Sequence, residues 1–327
     1  MARGGDGERM TFALGHPSGE AGAVSLQIAP LDVPVLIEVA SPRALGAVAE
    51  ACRTWRGEAG RPPALRLRIE RATELHGTGE AAIRLEGSRM TVRGPGVTAH
   101  AEVDAGIARC AVSSEYLANP EALRLEVLEP LLLMMLTQRD RTPVHASGFV
   151  VDGVAVLLAG RTGAGKSCLA RAADAVGFQV LSDDTVYVQL LPRLTVWGWP
   201  GAAHVLPEDA PDAAAPTRVR GGKVKYVVPL RSASPAAIAC HHAVLCVLSR
   251  SDGAPALSPI SPADAKARLW PLDEGFDLLP GPIAAAVARL TAGGAWELQL
   301  SDDPAEAVGL LAASLPWLKE TASFPAA

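Results

Sequence analysis

The sequence predicts an α/β protein in two parts: a mixed-sheet α/β domain over residues 119–327, preceded by a small α+β domain over 21–118. Three observations carry this prediction. Residues 145–189 read as strand, strand, glycine-rich loop, helix and strand in immediate succession. Asp152-Gly153, between Phe149-Val150-Val151 and Val154 to Ala159, signals a hairpin directly ahead of that loop. Residues 24–112 show period-two alternation broken by one clear helix start.

The first twenty residues are polar and glycine-rich, and are expected to be disordered. Val24, Leu26 and Ile28, then Val33, Val35, Ile37 and Val39, alternate as strands do. Ser41-Pro42 opens a helix toward Trp55, with serine as N-cap and proline in the first turn. Leu65, Leu67 and Ile69 alternate with Arg66, Arg68 and Glu70 as a half-exposed strand. Strand-like runs follow at 82–85, 90–93, 97–103 and 107–112. This part carries no chemical motif, and His76 and His100 stand alone. Asn119-Pro120-Glu121 starts a helix with Leu125, Leu128, Leu132 and Met135 on one stripe, ending near Arg139. Residues 206–222 read as a surface loop that begins acidic and ends basic. Beyond it come a buried strand at 242–248, helices opened by Ser261-Pro262 and by Pro282, a strand at 296–300, and a last helix capped at Asp303-Pro304.

Composition excludes several classes. A net charge of −5 and pI near 5.8 argue against a general nucleic-acid binder. The apolar run around Leu123 to Leu136 is interrupted by Glu129 and Pro130 and is too short to span a bilayer. The five cysteines have irregular spacing and no CxxC, the usage of a reducing cytoplasm. Only five of the 30 basic residues are lysines: Lys166, Lys223, Lys225, Lys266 and Lys319.

One of those lysines lies in Gly160-Arg161-Thr162-Gly163-Ala164-Gly165-Lys166-Ser167, a full GxxxxGK[ST] P-loop between an apolar strand and a helix. Glycines there let backbone N–H groups curl around phosphate oxygens at a helix N-terminus. Lys166 is expected at the β and γ phosphates of ATP and the Ser167 hydroxyl on Mg²⁺. The helix stops at Gly177, and the next apolar strand ends in Ser182-Asp183-Asp184. Phosphoryl transfer needs an acid near Mg²⁺ and a base for the attacking hydroxyl, and two carboxylates at a strand end divide those tasks. The same tripeptide at Ser301-Asp302-Asp303 caps a helix. His145 opens the hairpin beside this constellation.

These residues resemble the C-terminal domain of the HPr kinase/phosphorylase family, which is similar in fold to the nucleotide-binding part of phosphoenolpyruvate carboxykinases. The resemblance rests on His145-Ala146, Asp152-Gly153, Gly160 to Ser167 and Leu181-Ser182-Asp183-Asp184, about 45 residues in all. It implies that Asp184 takes the proton from a serine hydroxyl, with Lys166 and His145 as companions, and that Ser167 is a magnesium ligand; the acid pair adds the expectation that Asp183 helps Ser167 hold Mg²⁺. The glutamate-led, glycine-containing stretch of the bifunctional enzymes has no counterpart here, so the chain looks like an HPr-kinase-related protein of the lasso-peptide-kinase kind. Glu208 is a candidate second metal ligand.

The expectation is an ATP- and Mg²⁺-dependent cytoplasmic serine kinase acting on a peptide or small protein, with no nucleic-acid or membrane partner and homo-oligomers left open. A small-molecule acceptor and a non-catalytic ATP-binding module are the alternatives. Lys223 and Lys225 alternate on a strand-like run, facing phosphate or an acidic peptide, or else defending a sheet edge. Arg250 is either a group for the transferred phosphate or a surface arginine. Trp197 and Trp199 either line a peptide groove or pack, and His241-His242 lacks a third metal ligand.

Overall fold

The computed structural model describes residues 24–55, 61–161, 163–199, 202–207, 217–220, 223–234, 236–269 and 278–321. The expected disorder of 1–20, Thr162 and Glu208 lie outside them. In chain order, β1 (Val24–Ile28), β2 (Val35–Val39), α1 (Pro42–Ala51), β3 (Leu65–Arg71), β4 (Ala82–Glu86), β5 (Arg89–Gly94), β6 (Val97–Glu102) and β7 (Ile107–Val112) come first. They form one seven-stranded sheet in the order β1-β2-β3-β7-β6-β5-β4. Ser41 caps α1 through the N–H of Ala44, as its sequence position implies.

The connecting helix begins as read, with Asn119 Oδ1 accepting from Ala122 N–H. Its course differs from the expected single helix. After α2 (Ser114–Ala118) and α3 (Pro120–Ala122), residues Leu123–Leu128 form a π-helical turn, followed by α4 (Glu129–Thr137). Pro130 has no N–H to give to the turn before it, and its ring crowds that turn, so the wider π turn takes up the mismatch. The extra residue rotates the stripe: Leu123, Val127, Leu131 and Met134 are buried with Leu128, Leu132 and Met135, whereas Leu125 is only half-buried.

The remaining elements are β8 (Thr142–Val144), β9 (Ala146–Val151), β10 (Val154–Ala159), α5 (Lys166–Ala175), β11 (Gln179–Ser182), β12 (Val186–Gln189), β13 (Thr195–Gly198), β14 (Ala202–Val205), β15 (Thr217–Arg220), β16 (Lys223–Pro229), β17 (Ile238–Cys240), β18 (His242–Arg250), β19 (Ala256–Ile260), α6 (Pro262–Leu269), α7 (Pro280–Thr291), β20 (Ala295–Leu300) and α8 (Pro304–Thr321). They make a central sheet β11-β9-β10-β18-β20-β19, a four-stranded sheet β17-β13-β12-β8, and a three-stranded sheet β14-β16-β15. The architecture is thus mixed α/β. The loop expected over 206–222 is corrected at its C-terminal end, where Thr217–Arg220 pairs antiparallel with Lys223–Tyr226. The alternation Arg-Val-Arg-Gly-Gly-Lys-Val-Lys carries both the strand period and a glycine turn, and these outweigh its polarity.

The central sheet is mixed as the hairpin signal requires. Asp152 (φ 47°) and Gly153 (φ 75°) turn the chain so that Val151 pairs with Val154. β10 then pairs antiparallel with β9 and parallel with β18, while β11 pairs antiparallel with β9. Val154, Val156 and Leu158 enter a cluster with Leu169 and Ala173 of α5 and Leu311 and Leu315 of α8. Ala155, Leu157 and Ala159 enter the other core, with Val287 and Leu290 of α7. Burial on both faces explains why this strand reads as an unbroken apolar run.

A carboxylate clamps the three-stranded sheet to α5. The two oxygens of Asp174 each accept a backbone N–H at 2.8 Å, from Arg231 and Ser232. Burial alone would push this carboxyl up, but those donors hold it below the usual carboxylate range. A depressed native value stabilises the fold above the unfolded carboxylate value near about 3.9, and the contribution is lost as pH falls through the native value. Asp174→Ala is therefore expected to cost about 2–3 kcal/mol at neutral pH. Urea melts between pH 7 and pH 2 should also show a shallower acid loss than in the wild type. Equal pH slopes would remove the clamp.

Candidate active site

Strand direction gathers the site. β10, β11, β18 and β20 all run the same way, so their C-terminal ends meet at one edge of the central sheet, and antiparallel β9 starts there. This edge holds the glycine-rich loop after β10, the acid pair after β11, Arg250 at the end of β18, and His145 just before β9. Side chains and backbone at the carboxyl edge of such sheets are free to meet ligands.

In the loop, Gly163 (φ 84°) and Gly165 (φ 103°) adopt the left-handed conformation that a side chain would strain. Ala164 N–H donates to Arg161 carbonyl at 3.0 Å and closes the turn. Gly165 is the N-cap of α5, and no side chain caps the helix. Its first N–H groups and dipole therefore face the loop, an arrangement suited to phosphate. Lys166 is buried, and its Nζ donates to the carbonyls of Gly160 (2.6 Å) and Arg161 (3.3 Å). Ser147 on β9 donates to Lys166 carbonyl at 3.3 Å, and Ser167 is half-buried on the first turn. A β-carbon on Gly165 would stand 3.1 Å from Leu300 Cδ1 and 4.0 Å from Arg250 Nη2. Arg250 is therefore beside the loop, not on remote surface.

The two acids differ in a way their letters do not show. Asp183 is buried; its Oδ2 accepts the backbone N–H of His204 at 2.7 Å and lies 3.5 Å from His204 Nδ1. Its Oδ1 is buried without a hydrogen-bond partner among the described residues. An unpaired buried carboxylate oxygen costs stability unless a cation or donor meets it. Asp184, with 42% of its side chain exposed, has Oδ1 3.5 Å from His145 Nδ1, and that imidazole is 12% exposed. β9 separates β11 from β10, so two strand spacings, about 10 Å, lie between the acid pair and the loop strand. His145 sits at the entry to β9, the strand between them.

His204 is the residue sequence reasoning missed. It comes 21 positions after Asp183 on β14, a strand too short to read, and no motif marks it. Other candidates resolve into packing. Trp199 lies 5.0 Å from Trp55 and 6.1 Å from Tyr187, ring centre to ring centre, while Trp197 donates to Gln189 Oε1 and carries Arg141 over its ring at 4.7 Å. His241 meets Arg193 Nη2 at 2.7 Å and Thr195 Oγ1 at 3.2 Å, and no cluster of three metal-binding side chains is found among the described residues. All five cysteines are free thiols, and burial pushes Cys110 and Cys246 up to about 12. No helix of the described residues is long and apolar enough to cross a membrane. Ser301-Asp302-Asp303 does cap α8, with Asp303 Oδ1 accepting Ala305 N–H.

No family model matches the chain, and no curated protein matches it. Among solved structures it is similar to the Hpr(Ser) kinase/phosphatase from Coxiella burnetii, at 15% identity and a TM-score of 0.28, over 55% of this chain and 99% of that one. A superposition of this quality constrains neither fold nor chemistry, and the functional case rests on the side chains at the sheet edge.

Proposed function

We propose that the chain is an ATP- and Mg²⁺-dependent kinase, HPr-kinase-like, that phosphorylates a serine hydroxyl of a peptide or small protein, with residues 119–327 as its catalytic part. The single observation that carries this is the unequal acid pair beside the glycine-rich loop: one buried carboxylate with an unpartnered oxygen, one exposed carboxylate backed by histidine. A regulatory nucleotide module has no use for the exposed member.

Each residue then has a task. Gly160, Arg161, Thr162, Gly163, Ala164 and Gly165 present backbone to the triphosphate, and Lys166 exchanges its two loop carbonyls for phosphate oxygens. Asp183 Oδ1 and the Ser167 hydroxyl are the groups that would hold Mg²⁺. The orphaned oxygen fits a hard cation, which when bound neutralises charge on the phosphates. Asp184 accepts the proton of the acceptor hydroxyl, and His145 orients it and shares its charge. Arg250, beside the loop at Gly165, would stabilise charge that develops on the transferred group.

Incubation with γ-labelled ATP and host extract, followed by mass spectrometry of labelled species, tests the reading. Label on a serine of a polypeptide is expected; label only on a metabolite would sink the peptide acceptor, and no label at all the kinase. Asp183→Asn keeps an oxygen for the His204 N–H but removes the one negative charge the two ligands offer to the cation. Mn²⁺ titration followed by electron paramagnetic resonance, with ATP present, should show about tenfold weaker binding. Unchanged affinity would place the metal elsewhere.

A further inference from the structure

The seven-stranded sheet has two unlike faces. Ile37, Leu67, Cys110, Ala99 and Val92, one from each strand across the sheet from β2 to β5, are buried in the core. The residues that alternate with them turn outward and are exposed or half-buried. Six arginines stand on that open face against four glutamates, in a chain whose acids outnumber its bases 35 to 30. Arg68 pairs with Glu70 at 2.5 Å and Arg89 with Glu102 at 3.0 Å. Arg66, Arg84, Arg93 and Arg109 are exposed and form no ion pair among the described residues.

Cross-strand register sets like charges side by side. Arg68 on β3 is opposite Arg109 on β7, which is opposite His100 on β6, and the row runs on through Thr91 to Arg84. Like charges directly opposite each other destabilise a sheet, and the same side chains interleaved, as Arg89 is with Glu102, would avoid the cost. Beside the row, opposite Arg66, Ile107 is 40% exposed, one of four large apolar side chains so exposed among the described residues. Protein interfaces are enriched in arginine and place apolar side chains at the centre of a polar rim. Six strand spacings of about 4.8 Å and strands about 17 Å long give a footprint of about 500 Å², one side of a transient interface.

We infer that this open face docks an acidic polypeptide partner, with an apolar side chain seated at Ile107 and carboxylates on Arg66 and Arg109. Charge complementarity chooses the occupant. The face has no Phe, Tyr or Trp on which bases could stack, and its glutamates repel a nucleic-acid backbone or an anionic lipid surface laid flat across it. A polypeptide can set its carboxylates on the unpaired arginines and pass the glutamates with neutral residues. The inference stands apart from the kinase reading, because every residue it uses lies within 24–112 and none belongs to the glycine-rich loop or the acid pair.

The test uses the full chain and a short fluorescein-labelled peptide of glutamates around one central leucine, beside a twin with glutamine at every glutamate. Anisotropy should show the glutamate peptide binding at least about tenfold more tightly, with the preference fading at high salt. The double variant Arg66→Gln, Arg109→Gln should lose that preference. A second variant, Arg109→Glu, turns the contacts with Arg68 and His100 into opposite-charged ones. It should melt at higher temperature yet lose the glutamate peptide, a combination that misfolding does not produce. Equal affinity for the two peptides overturns the inference, as does retention of the preference in either variant. Tighter binding of a single-stranded oligonucleotide or of phosphatidylserine vesicles than of the glutamate peptide would assign the face to a polyanion and overturn it. Self-association that sedimentation shows in the wild type and not in the double variant would assign it to a second copy of the chain, and overturn it too.

Discussion

Asp184→Asn is expected to slow phosphoryl transfer by about 10²–10⁴-fold while ATP affinity stays within about twofold. The amide has the shape of the acid but no basic oxygen, so the attacking hydroxyl keeps its proton. Nothing in the loop touches the change: Lys166 bonds to Gly160 and Arg161, and Ser147 ties the start of α5 to β9. The side chain is exposed enough that its replacement leaves no buried group stranded, so the melting temperature should not move. Single-turnover transfer from γ-labelled ATP reads the rate, and calorimetric nucleotide binding reads the loop. A variant that transfers at the wild-type rate would remove Asp184 as base. One that loses ATP binding as well would make it part of the nucleotide site.

Gly198→Ala is the larger structural blow, at about 3 kcal/mol or more. A β-carbon at Gly198 would stand 2.4 Å from the carbonyl oxygen of Leu181 and 2.7 Å from its carbonyl carbon and Cα. Those are backbone atoms of β11, so no rotamer change relieves the overlap. What must shift is the strand that delivers Ser182 and Asp183. The variant should melt several degrees lower and, in the fraction still folded, bind Mn²⁺ more weakly. Gly46→Ala is the control: it lies exposed inside α1 with nothing within 4 Å of an added β-carbon, and it should stabilise by up to about 1 kcal/mol. If both substitutions behave alike, the close approach of β13 to β11 does not position the acid.

Local patterns carried the elements that local physics decides. Ser41-Pro42, Asn119-Pro120, Asp152-Gly153 and the run from Val154 to Gly177 each announce a start, turn or stop within a few residues, and the structure follows them. The acid pair and the lysine were legible for the same reason. What stayed hidden is set by residues far apart in the chain. β14 is four residues long and owes its existence to β16, and with it His204 reaches Asp183. The rotated stripe after Leu123 follows from Pro130 acting on the preceding turn, a steric effect that a fixed 3.6-residue period does not contain. The identical tripeptides at 182 and 301 are separated only by burial: one acid has an orphaned oxygen, the other caps a helix.

The placement of β10 also sets an order of assembly. Its antiparallel neighbour β9 is adjacent in sequence, so hairpin, loop, α5 and β11 can associate as soon as the stretch from Ala146 to Ser182 has left the ribosome. Its parallel neighbour β18 begins at His242, opposite Val154, and β20 follows only at Ala295. Arg250 and Leu300, the two side chains that close over Gly165, are therefore among the last parts to arrive. On the kinase reading, a nascent chain would hold the lysine and both acids long before Arg250 and Leu300 arrive beside them, so nucleotide retention would report how far translation has advanced.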